Sequence, residues 1–490
     1  MLRLDGAGPL YLQTYRALRK AILDGRHQAG SRLPSTRALA GELGVSRTVT
    51  LTAFDQLMAE GYVEGRPGSG TRVAAALPDG ALTVPAVSTR RSPTPAAPRV
   101  SQHAKRVLAA ASLAKRRRAA GLPYDFSYGY APPEPRSRAA WRRLLGQAAL
   151  DDGLDYGPAE GHPRLRAALA DHLRRQRGVV CDAEQIVIVS GSQQGLDLAA
   201  RLLLDPGDRV LIEEPHYQGA RAVLQAAGAR LVPGAVDGSG LDVTTPACRR
   251  ARPRLVYVTP SHQFPTGAVM SLSRRLALLD WAEERDAFIL EDDYDGDYRY
   301  EGRPIEAVQG LDSRGRTLYV GTASKVLFPA LRLGFLVLPR SLVSVFRAGK
   351  WLADRHCASL EQLALAAFLE TGLYERHLRR MRRRHAARRA ALIAAIERHL
   401  GDRAEVMGTG AGIHVVLWLP QVPPARLPAL IEAAAGRGVG LYSIAPYYLE
   451  GPPRTGLLLG YGNLDETAIE EGIARLGSVL VCGKGYREPA

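Results

Sequence analysis

The stretch Gly321-Thr322-Ala323-Ser324-Lys325 decides the fold of this chain, together with Arg332 seven residues later. The apolar run Leu318 to Val320 precedes it and predicts a short buried strand that delivers the lysine into a loop. A lysine amine can form a Schiff base with an aldehyde, and an arginine can hold a phosphate through two parallel hydrogen bonds. The pair therefore suits pyridoxal 5′-phosphate (PLP). A surface lysine in a turn would explain the same residues, so the rest of the chain has to decide.

Length, charge and cysteine content limit the class of protein. A chain of 490 residues is too long for a single core, and its net charge of +16 indicates an acidic partner. The four cysteines are isolated and form no C-x-x-C motif, so neither a disulfide framework nor a metal site is expected. No apolar run reaches membrane-spanning length and no signal peptide is recognised. We therefore expect a cytoplasmic protein without a membrane partner.

Residues 10–73 carry the pattern of a compact three-helix unit. Apolar residues at helical spacing predict a helix over Leu10 to Leu23. Ser35 or Thr36 can cap a second helix, and Ser46 opens a third after a glycine turn. Helix, turn and helix in this order predict a helix-turn-helix, whose second helix presents its N-terminal side chains to the major groove. From this pattern alone, any small three-helix domain would fit as well.

Residues 61–73 predict two short strands around a glycine-rich tip, which we call the wing. The phrases L-P-S-T-R-x-L-A-x-x-L-G-V-S-R-T (33–48) and G-Y-V-E-G-R-x-G-S-G-T-x-V (61–73) resemble the winged helix-turn-helix of GntR-type regulators. The resemblance implies DNA contacts by Arg37, Ser46, Arg47 and Thr48, and at the wing tip by Gly68, Ser69, Gly70 and Thr71. Arginine suits guanine edges as well as phosphates, and the pattern leaves open which of them each arginine contacts.

Residues 77–122 differ in composition from their surroundings and predict a linker. Proline, alanine, serine and threonine dominate, and no acidic residue lies between Gly80 and Tyr124. The prolines disfavour continuous structure, although Ser101 to Ala120 can form a helix. The basic residues, including the cluster Lys115 to Arg118, either make up a solvated tether or add contacts to phosphates, and the composition leaves both open.

From residue 123 to 490 the chain has the rhythm of an α/β domain, so the whole is multidomain. Short apolar runs alternate with helical patterns, which predicts a mainly parallel sheet covered on both faces. The predicted strands are Ile186 to Val189, Arg209 to Ile212, Leu255 to Val258, Phe288 to Leu290 and Leu318 to Val320. A very basic helical pattern from Gln362 to about Leu400 indicates a solvated helix face rather than a reader of nucleic acid. A small C-terminal α+β lobe follows.

Several strand ends of this sheet carry chemistry that suits PLP, and ligands of such sheets bind at those ends. Ser192 and Gln193 open a helix directly after a strand, where backbone N–H groups can hold a phosphate. Tyr217 lies just beyond the next strand, and its ring can stack on a pyridine. In Glu291-Asp292-Asp293-Tyr294, a carboxylate can pair with the pyridine nitrogen and the phenol with the ring oxygen. A helix cap, a core tyrosine and an acidic turn would explain them singly, but their order in one domain favours PLP.

The order of these motifs resembles the fold-type I aminotransferases, in the branch close to the 2-aminoadipate aminotransferases. The resemblance implies that Lys325 forms the internal aldimine, that Asp292 pairs with the pyridine nitrogen and that Tyr294 bonds to the ring oxygen. Tyr217 would stack on the ring. The phosphate ligands that it implies are Ser192, Gln193, Thr322, Ser324 and Arg332. It also implies that Tyr156 reaches the cofactor of a neighbouring subunit.

A winged helix-turn-helix (1–76), a basic linker (77–122) and an aminotransferase-like domain (123–490) are the layout of the MocR subfamily of GntR-type regulators. The resemblance runs from about Pro9 to Leu480. It implies a PLP-dependent transcriptional regulator that binds double-stranded operator DNA with repeated half-sites. It also implies a small-molecule effector, which is PLP, an amine or an amino acid. A homodimer follows from the same resemblance, and the linker permits a head-to-tail arrangement.

Two departures from the related enzymes bear on catalysis. Many of them have Asn-Pro-x-Gly, whose asparagine bonds to the cofactor ring oxygen; Phe264 stands there in this chain, so the contact is lost or passes to His262 or Gln263. The enzymes also clamp the substrate carboxylate with an arginine, where this chain has Leu458, with Arg454 nearest. An α-amino acid would leave its carboxylate poorly paired, so efficient transamination is not expected. The alternative is an active aminotransferase with an accessory DNA-binding domain.

Overall fold

The computed structural model describes residues 2–66, 70–77, 99–113, 121–129, 132, 134–150, 155–300 and 305–482. The chain divides into two compact units, Met1–Arg99 and Val100–Ala490. The start of the second unit therefore falls within the segment predicted as a linker. Gly68 and Ser69 of the predicted wing tip and the basic cluster Lys115 to Arg118 lie outside the described residues.

The first unit consists of three helices and an antiparallel hairpin. Its elements are α1 Leu10–Leu23, α2 Thr36–Leu43, α3 Arg47–Ala59, β1 Val63–Arg66 and β2 Gly70–Val73. The hydroxyls of Ser35 and Ser46 accept hydrogen bonds from the N–H groups of Ala38 and Val49, which caps α2 and α3. Gly44 between these helices has a φ of 66°, the left-handed conformation that lets the chain turn there. The helix-turn-helix and the hairpin thus form where the sequence predicts them.

The second unit contains an eight-stranded sheet, a small lobe and the remaining helices. Its strands are β3 Tyr124–Asp125, β4 Ile186–Val189, β5 Arg209–Glu214, β6 Arg230–Asp237, β7 Gly240–Leu241, β8 Leu255–Val258, β9 Phe288–Asp293, β10 Thr317–Thr322, β11 Gly334–Val337, β12 Glu405–Met407, β13 His414–Trp418, β14 Val439–Gly440 and β15 Gly456–Gly460. Its helices are α4 Gln102–Leu113, α5 Pro135–Ala148, α6 Pro163–Arg177, α7 Ser192–Leu203, α8 Gln218–Ala227, α9 Pro246–Arg250, α10 Leu272–Glu284, α11 Val308–Leu311, α12 Val343–Asp354, α13 Ser359–Glu370, α14 Leu373–Leu400, α15 Leu427–Ala435 and α16 Glu466–Cys482.

The large sheet is mainly parallel, as predicted. Its strand order is β4-β11-β10-β9-β8-β5-β6-β7. β11 runs antiparallel to both of its neighbours and β7 antiparallel to β6, which the sequence pattern did not predict. Ile186 and Ile188 of β4 belong to the core on one face, whereas Val187 and Val189 belong to the core on the other. Helices cover both faces, so a strand such as β4 is apolar and buried at every position.

The basic helical pattern is two helices rather than one. Gly372, with a φ of 66°, separates α13 from α14. Arg379 and Arg383 of α14 are exposed, as expected of a solvated face, but Arg388 is buried and donates to the backbone oxygen of Gly462. Part of the basic pattern is therefore structural. Within the described ranges, no helix is both long enough and apolar enough to cross a membrane.

The small lobe supplies one wall of the site described below. β12, β13 and β15 form an antiparallel sheet. Leu457 and Leu459 of β15 pack into the core of the lobe, whereas Leu458 between them belongs to a separate cluster on the other face. This alternation follows from the two-residue repeat of a strand.

Candidate functional site

A cradle for an anion lies where β4 ends and α7 begins. Gly191, the residue before α7, has a φ of 83°, and a Cβ atom there would lie 2.7 Å from Nη2 of Arg332. The same Nη2 donates to the backbone oxygen of Ser190 at 2.9 Å. A Cβ atom at Gly334 would lie 2.8 Å from the carbonyl carbon of Gly191, so only glycine fits at either position. The guanidinium thus lies beside Ser190 and Gly191, directly before the first turn of α7, an arrangement that suits a phosphate.

The end of β10 brings the predicted lysine and hydroxyl residues to this cradle, because Thr322 pairs in register with Gly334. The N–H group of Ser324 donates to Oγ1 of Thr322 at 3.1 Å. The hydroxyl of Ser324 is buried and has no partner among the described residues. The Nζ atom of Lys325 lies 3.3 Å from the backbone oxygen of Gly129, to which it donates. Lys325 therefore lies in the loop that follows β10, directly after the buried hydroxyl of Ser324.

Tyr217 is held at the start of α8. Its hydroxyl donates to Oε1 of Gln193 at 3.3 Å, and Nε2 of Gln193 donates to the backbone oxygen of Gly219 at 3.0 Å. A Cβ atom at Gly219 would lie 2.5 Å from the Tyr217 ring. Position 219 therefore requires glycine, and the hydrogen bond to Gln193 fixes the orientation of the Tyr217 ring. Gln193 orients this ring, in addition to its predicted role as a phosphate ligand.

Asp292 is a buried carboxyl with one oxygen left over. The hydroxyl of Tyr257 donates to its Oδ2 at 2.8 Å, whereas Oδ1 has no partner among the described residues. Burial raises the pKa of Asp292 to about 7, and Lys325 opposes that shift. A pyridinium N–H group is the kind of donor that would satisfy Oδ1 and stabilise the ionised carboxylate. The unpartnered oxygens of Asp292 and Ser324, together with the cradle at Gly191, fit PLP.

A pH dependence follows from Asp292 in the protein without PLP. Its pKa is about 7 in the folded chain against an ordinary 3.8, so the folded state holds a proton that the unfolded state has lost. The contribution of Asp292 to the free energy of unfolding is complete below pH 3.8 and is lost as the pH rises through about 7. We expect Asp292→Asn to flatten the loss of unfolding free energy over this interval, as measured by urea denaturation. Asp280→Asn, at an exposed position of α10, is the control; equal slopes in all three proteins would contradict the prediction.

The structure does not leave Gln263 free to replace the missing asparagine. Its amide nitrogen donates to the backbone oxygens of Pro215 and Phe264 at 2.7 and 2.8 Å. Its amide oxygen accepts from both the N–H group and the hydroxyl of Thr266. All of these groups are buried. Gln263 therefore shapes the loop, and of the alternatives left open for the ring-oxygen contact the structure favours its loss or its passing to His262.

His262 bears on that contact through Tyr294. The hydroxyl of Tyr294 donates to the backbone oxygen of His262 at 2.9 Å and lies 3.1 Å from Nδ1 of its ring. The same Nδ1 lies 3.0 Å from Oδ2 of Asp295, and all three side chains are buried. His262 and Asp295 therefore position the tyrosine that was predicted to bond to the ring oxygen.

The predicted carboxylate position is apolar in the structure. Leu458 is fully buried. Arg454, the arginine nearest in sequence, forms an ion pair with Glu405, and its guanidinium lies 4.4 Å from the centroid of the Trp418 ring. Arg454 is thus occupied on the partly exposed edge of the lobe and does not replace the missing clamp.

Tyr156 lies at the surface of the second unit. Its exposed fraction is 77%. The Arg355 guanidinium lies 5.5 Å from the centroid of its ring, and the His356 ring packs edge-on at 5.9 Å. An exposed aromatic ring held in this way is available to a partner molecule.

The predicted DNA contacts of the helix-turn-helix lie at exposed positions. Arg37 lies in the first turn of α2, and Arg47 and Thr48 open α3. Ser46 is exposed too, although its hydroxyl already caps α3. Ser46, Arg47 and Thr48 lie at the start of the second helix of the helix-turn-helix, which is the end that enters the major groove in such motifs.

Arg32, which the sequence pattern did not indicate as a DNA contact, lies at the base of the wing. Of the predicted wing residues, Gly70 and Thr71 begin β2. A Cβ atom at Gly70 would lie 2.9 Å from Nε of Arg32, which is exposed. Arg32 directly precedes the Leu-Pro-Ser-Thr phrase, so its position in the sequence could have suggested a DNA contact. Only the fold shows that it lies next to Gly70.

The two units together define a class of protein: an aminotransferase-like fold of the PLP type, joined in one chain to a winged helix-turn-helix. Residues 129–439 match the family "Aminotransferase class I and II". Residues 10–73 match the family "Bacterial regulatory proteins, gntR family". The predicted fold class is therefore confirmed.

Similar proteins extend over the whole chain. It is 41% identical to the probable rhizopine catabolism regulatory protein MocR of Rhizobium meliloti, over 98% of this chain and 96% of that protein. It is 30% identical to the HTH-type pyridoxine biosynthesis transcriptional regulator PdxR of Corynebacterium glutamicum, over 96% of both. LysN, the alpha-aminoadipate aminotransferase of Thermus thermophilus, solved with N-(5′-phosphopyridoxyl)-L-leucine, superposes with a TM-score of 0.69. The two sequences are 28% identical, and the superposition covers 76% of this chain and 97% of LysN. The chain belongs to the MocR subfamily of GntR-type transcriptional regulators, as predicted.

Proposed function

We propose that this regulator binds operator DNA with its first unit and PLP, or an adduct of PLP with an amine, with its second unit. The observation that carries the proposal is the site around Lys325, where a buried carboxyl oxygen and a buried hydroxyl lack partners among the described residues beside an anion cradle. The regulatory functions for which MocR and PdxR are named agree with it. A change of PLP occupancy would be the signal that alters DNA binding.

Different residues of the site would bind the phosphate, the ring and the aldehyde carbon of PLP. The phosphate ligands would be Ser192, Gln193, Thr322, Ser324 and Arg332. Tyr217 would stack on the ring, Asp292 would hold the pyridine nitrogen and Tyr294 the ring oxygen. Lys325 would attach to the aldehyde carbon. When bound, PLP supplies an electrophilic carbon and an electron sink, and every residue named here binds or orients it.

One experiment separates the regulator from a working aminotransferase. The full chain is loaded with PLP, and its affinity for its operator is measured by fluorescence anisotropy with and without an amine ligand. We expect the affinity to change, while an amino donor with an oxo acid gives no sustained turnover, because no guanidinium stands at Leu458. Sustained turnover without any effect on DNA binding would contradict the proposal and favour the enzyme.

We also propose that the regulator acts as a homodimer on repeated half-sites. The exposed ring of Tyr156 supports this, since it is available to a partner's site, and two linked DNA-binding units raise the effective affinity for paired half-sites. We expect light scattering at micromolar concentration to give twice the mass of one chain. Tyr156→Ala is expected to weaken PLP retention, with Tyr11→Ala in the first unit as the control. A monomer with full affinity for a two-half-site operator would contradict this.

A further inference from the structure

Two helices of the second unit, α5 and α14, are joined by polar side chains. The hydroxyl of Ser137 lies 2.7 Å from Nδ1 of His377, and both side chains are buried. Nη2 of Arg380 donates to Oε2 of Glu134 and to the hydroxyl of Ser137, both at 3.1 Å. The start of α5 therefore lies against the first half of α14.

The exposed positions of both helices are rich in arginine. On α14, Arg376, Arg379 and Arg383 follow one another at intervals of three and four residues, so they share one stripe along the helix. On α5, the exposed arginines are Arg136, Arg138, Arg142 and Arg143. We call the exposed arginines of these two helices the arginine face.

The arginine face has few carboxylates near it. α5 contains no acidic residue, and Glu134, which precedes it, pairs with Arg380. Glu375 lies in the first turn of α14, and its Oε1 lies 3.4 Å from Nδ1 of His172. Within the ranges that the structure describes, no arginine of the face forms an ion pair with a carboxylate. The described residues of the second unit therefore leave this positive charge without a counterion.

The fold uses other arginines of α14 and leaves the face unused. Arg382 donates to the backbone oxygen of Asp297 at 2.6 Å, and Arg388 donates to the backbone oxygen of Gly462. Arg379 and Arg383, by contrast, have no such bond among the described residues. They lie four residues apart, and like charges at that spacing destabilise a helix. A cluster of this kind is explained by a partner of opposite charge rather than by the stability of the fold.

We propose that the arginine face binds the phosphates of double-stranded DNA beside the operator, without reading its bases. The inference rests on the proposed function, because DNA held by the first unit is a polyanion kept at high effective concentration around the same chain. From Arg376 to Arg383 the helix rises about 10 Å, a length over which a duplex presents about three phosphates on each strand. Phosphate contacts carry no sequence information, so the face adds affinity without adding sequence preference.

The test uses the full chain loaded with PLP and two duplexes: the operator alone, and the operator extended on each side by two helical turns, about 20 base pairs, of mixed sequence. Affinity is measured by fluorescence anisotropy at several salt concentrations. We expect the wild type to bind the longer duplex more tightly and with a steeper salt dependence. The double variant Arg379→Gln/Arg383→Gln is expected to lose about tenfold in affinity for the longer duplex at low salt, and about 2 in the slope of log K against log salt. It should bind the operator alone as the wild type does.

A matched control removes two neighbouring exposed arginines from another helix. Arg249 and Arg250 lie at the end of α9, so Arg249→Gln/Arg250→Gln should leave both affinities and both slopes unchanged. Arg142→Gln/Arg143→Gln repeats the test on α5 and is expected to give the same loss as the α14 variant. The inference therefore stays testable if the α14 variant fails to fold.

The outcomes separate this inference from the proposed function. Equal affinity of the wild type for the two duplexes overturns the inference, and so does a gain from the flanking DNA that survives in both face variants or falls equally in the α9 control. An unchanged gain with loss of the dimer, seen by light scattering, would assign the face to a second protein chain instead. Arg47→Ala should weaken binding to the operator and keep the gain from the flanking DNA. A wild type that binds neither duplex overturns both proposals.

Discussion

A Lys325→Ala variant is expected to lose the absorbance of covalently held PLP at about 420 nm, while the remaining contacts still bind the cofactor weakly. The effect is large because no other group in the site can replace a primary amine at that position. In the structure, the lysine nitrogen lies beside the Tyr128 ring and Gly129, and Asp292 is close enough for the two charges to influence each other. The measurement is an absorbance spectrum after PLP loading, followed by borohydride reduction and peptide mapping of the attached residue.

Two other lysines of the second unit provide controls. Lys105 is exposed on α4, so Lys105→Ala is expected to keep the wild-type spectrum. Lys350 is fully buried on α12 and forms an ion pair with Asp354, which leaves its amine occupied. Reduction that left PLP on Lys350, or on any residue other than Lys325, would show that the attachment site is assigned wrongly.

The ends of the central strands could be predicted because their signals are local. A short run of buried apolar residues followed by small or polar residues marks a strand end in any sheet covered on both faces. Lys325, Asp292 and Tyr217 all follow such runs, and parallel pairing alone brings strand ends to one edge. The capped helices of the first unit were predictable for a similar reason, since Ser35 and Ser46 act within three residues of their own positions.

The contacts that tune the site could not be predicted, because they join residues far apart in the chain. Tyr257 lies within the apolar run of β8, and only the sheet order shows that its hydroxyl meets Asp292 of the neighbouring strand. Gln263 has the chemistry to bond to a cofactor, but its amide nitrogen donates to Glu213 and to the backbone oxygen of Pro215 from a distant strand end, and Thr266 occupies its amide oxygen. Composition shows what a side chain can bond to, whereas packing decides which of those bonds it makes.

An Arg47→Ala variant is expected to lose roughly 5- to 160-fold in affinity for the operator, which corresponds to about 1–3 kcal/mol. Arg47 is exposed at the first position of α3, directly after the Ser46 cap, so its side chain leads the helix into the groove. If it bonds to a guanine edge, the loss should be confined to operators that keep that base, and the variant should relax sequence preference. If it bonds to a phosphate, affinity for every sequence should fall and the salt dependence should weaken by about one counterion.

Fluorescence anisotropy with the operator, single-base variants of it and unrelated DNA, at several salt concentrations, distinguishes these results. Arg26→Ala is a matched control, because Arg26 is an exposed arginine in the same unit, lies after the end of α1 and pairs with Asp24. The affinity of Arg26→Ala for the operator should stay within about twofold of wild type, because Arg26 is not a predicted DNA contact. The fold should also persist, because a surface ion pair contributes little to stability. The cap of α3 is the Ser46 hydroxyl rather than the exposed Arg47 side chain, so removing that side chain should leave the fold intact. Undiminished affinity of Arg47→Ala for the operator would mean that α3 does not enter the major groove by its N-terminus.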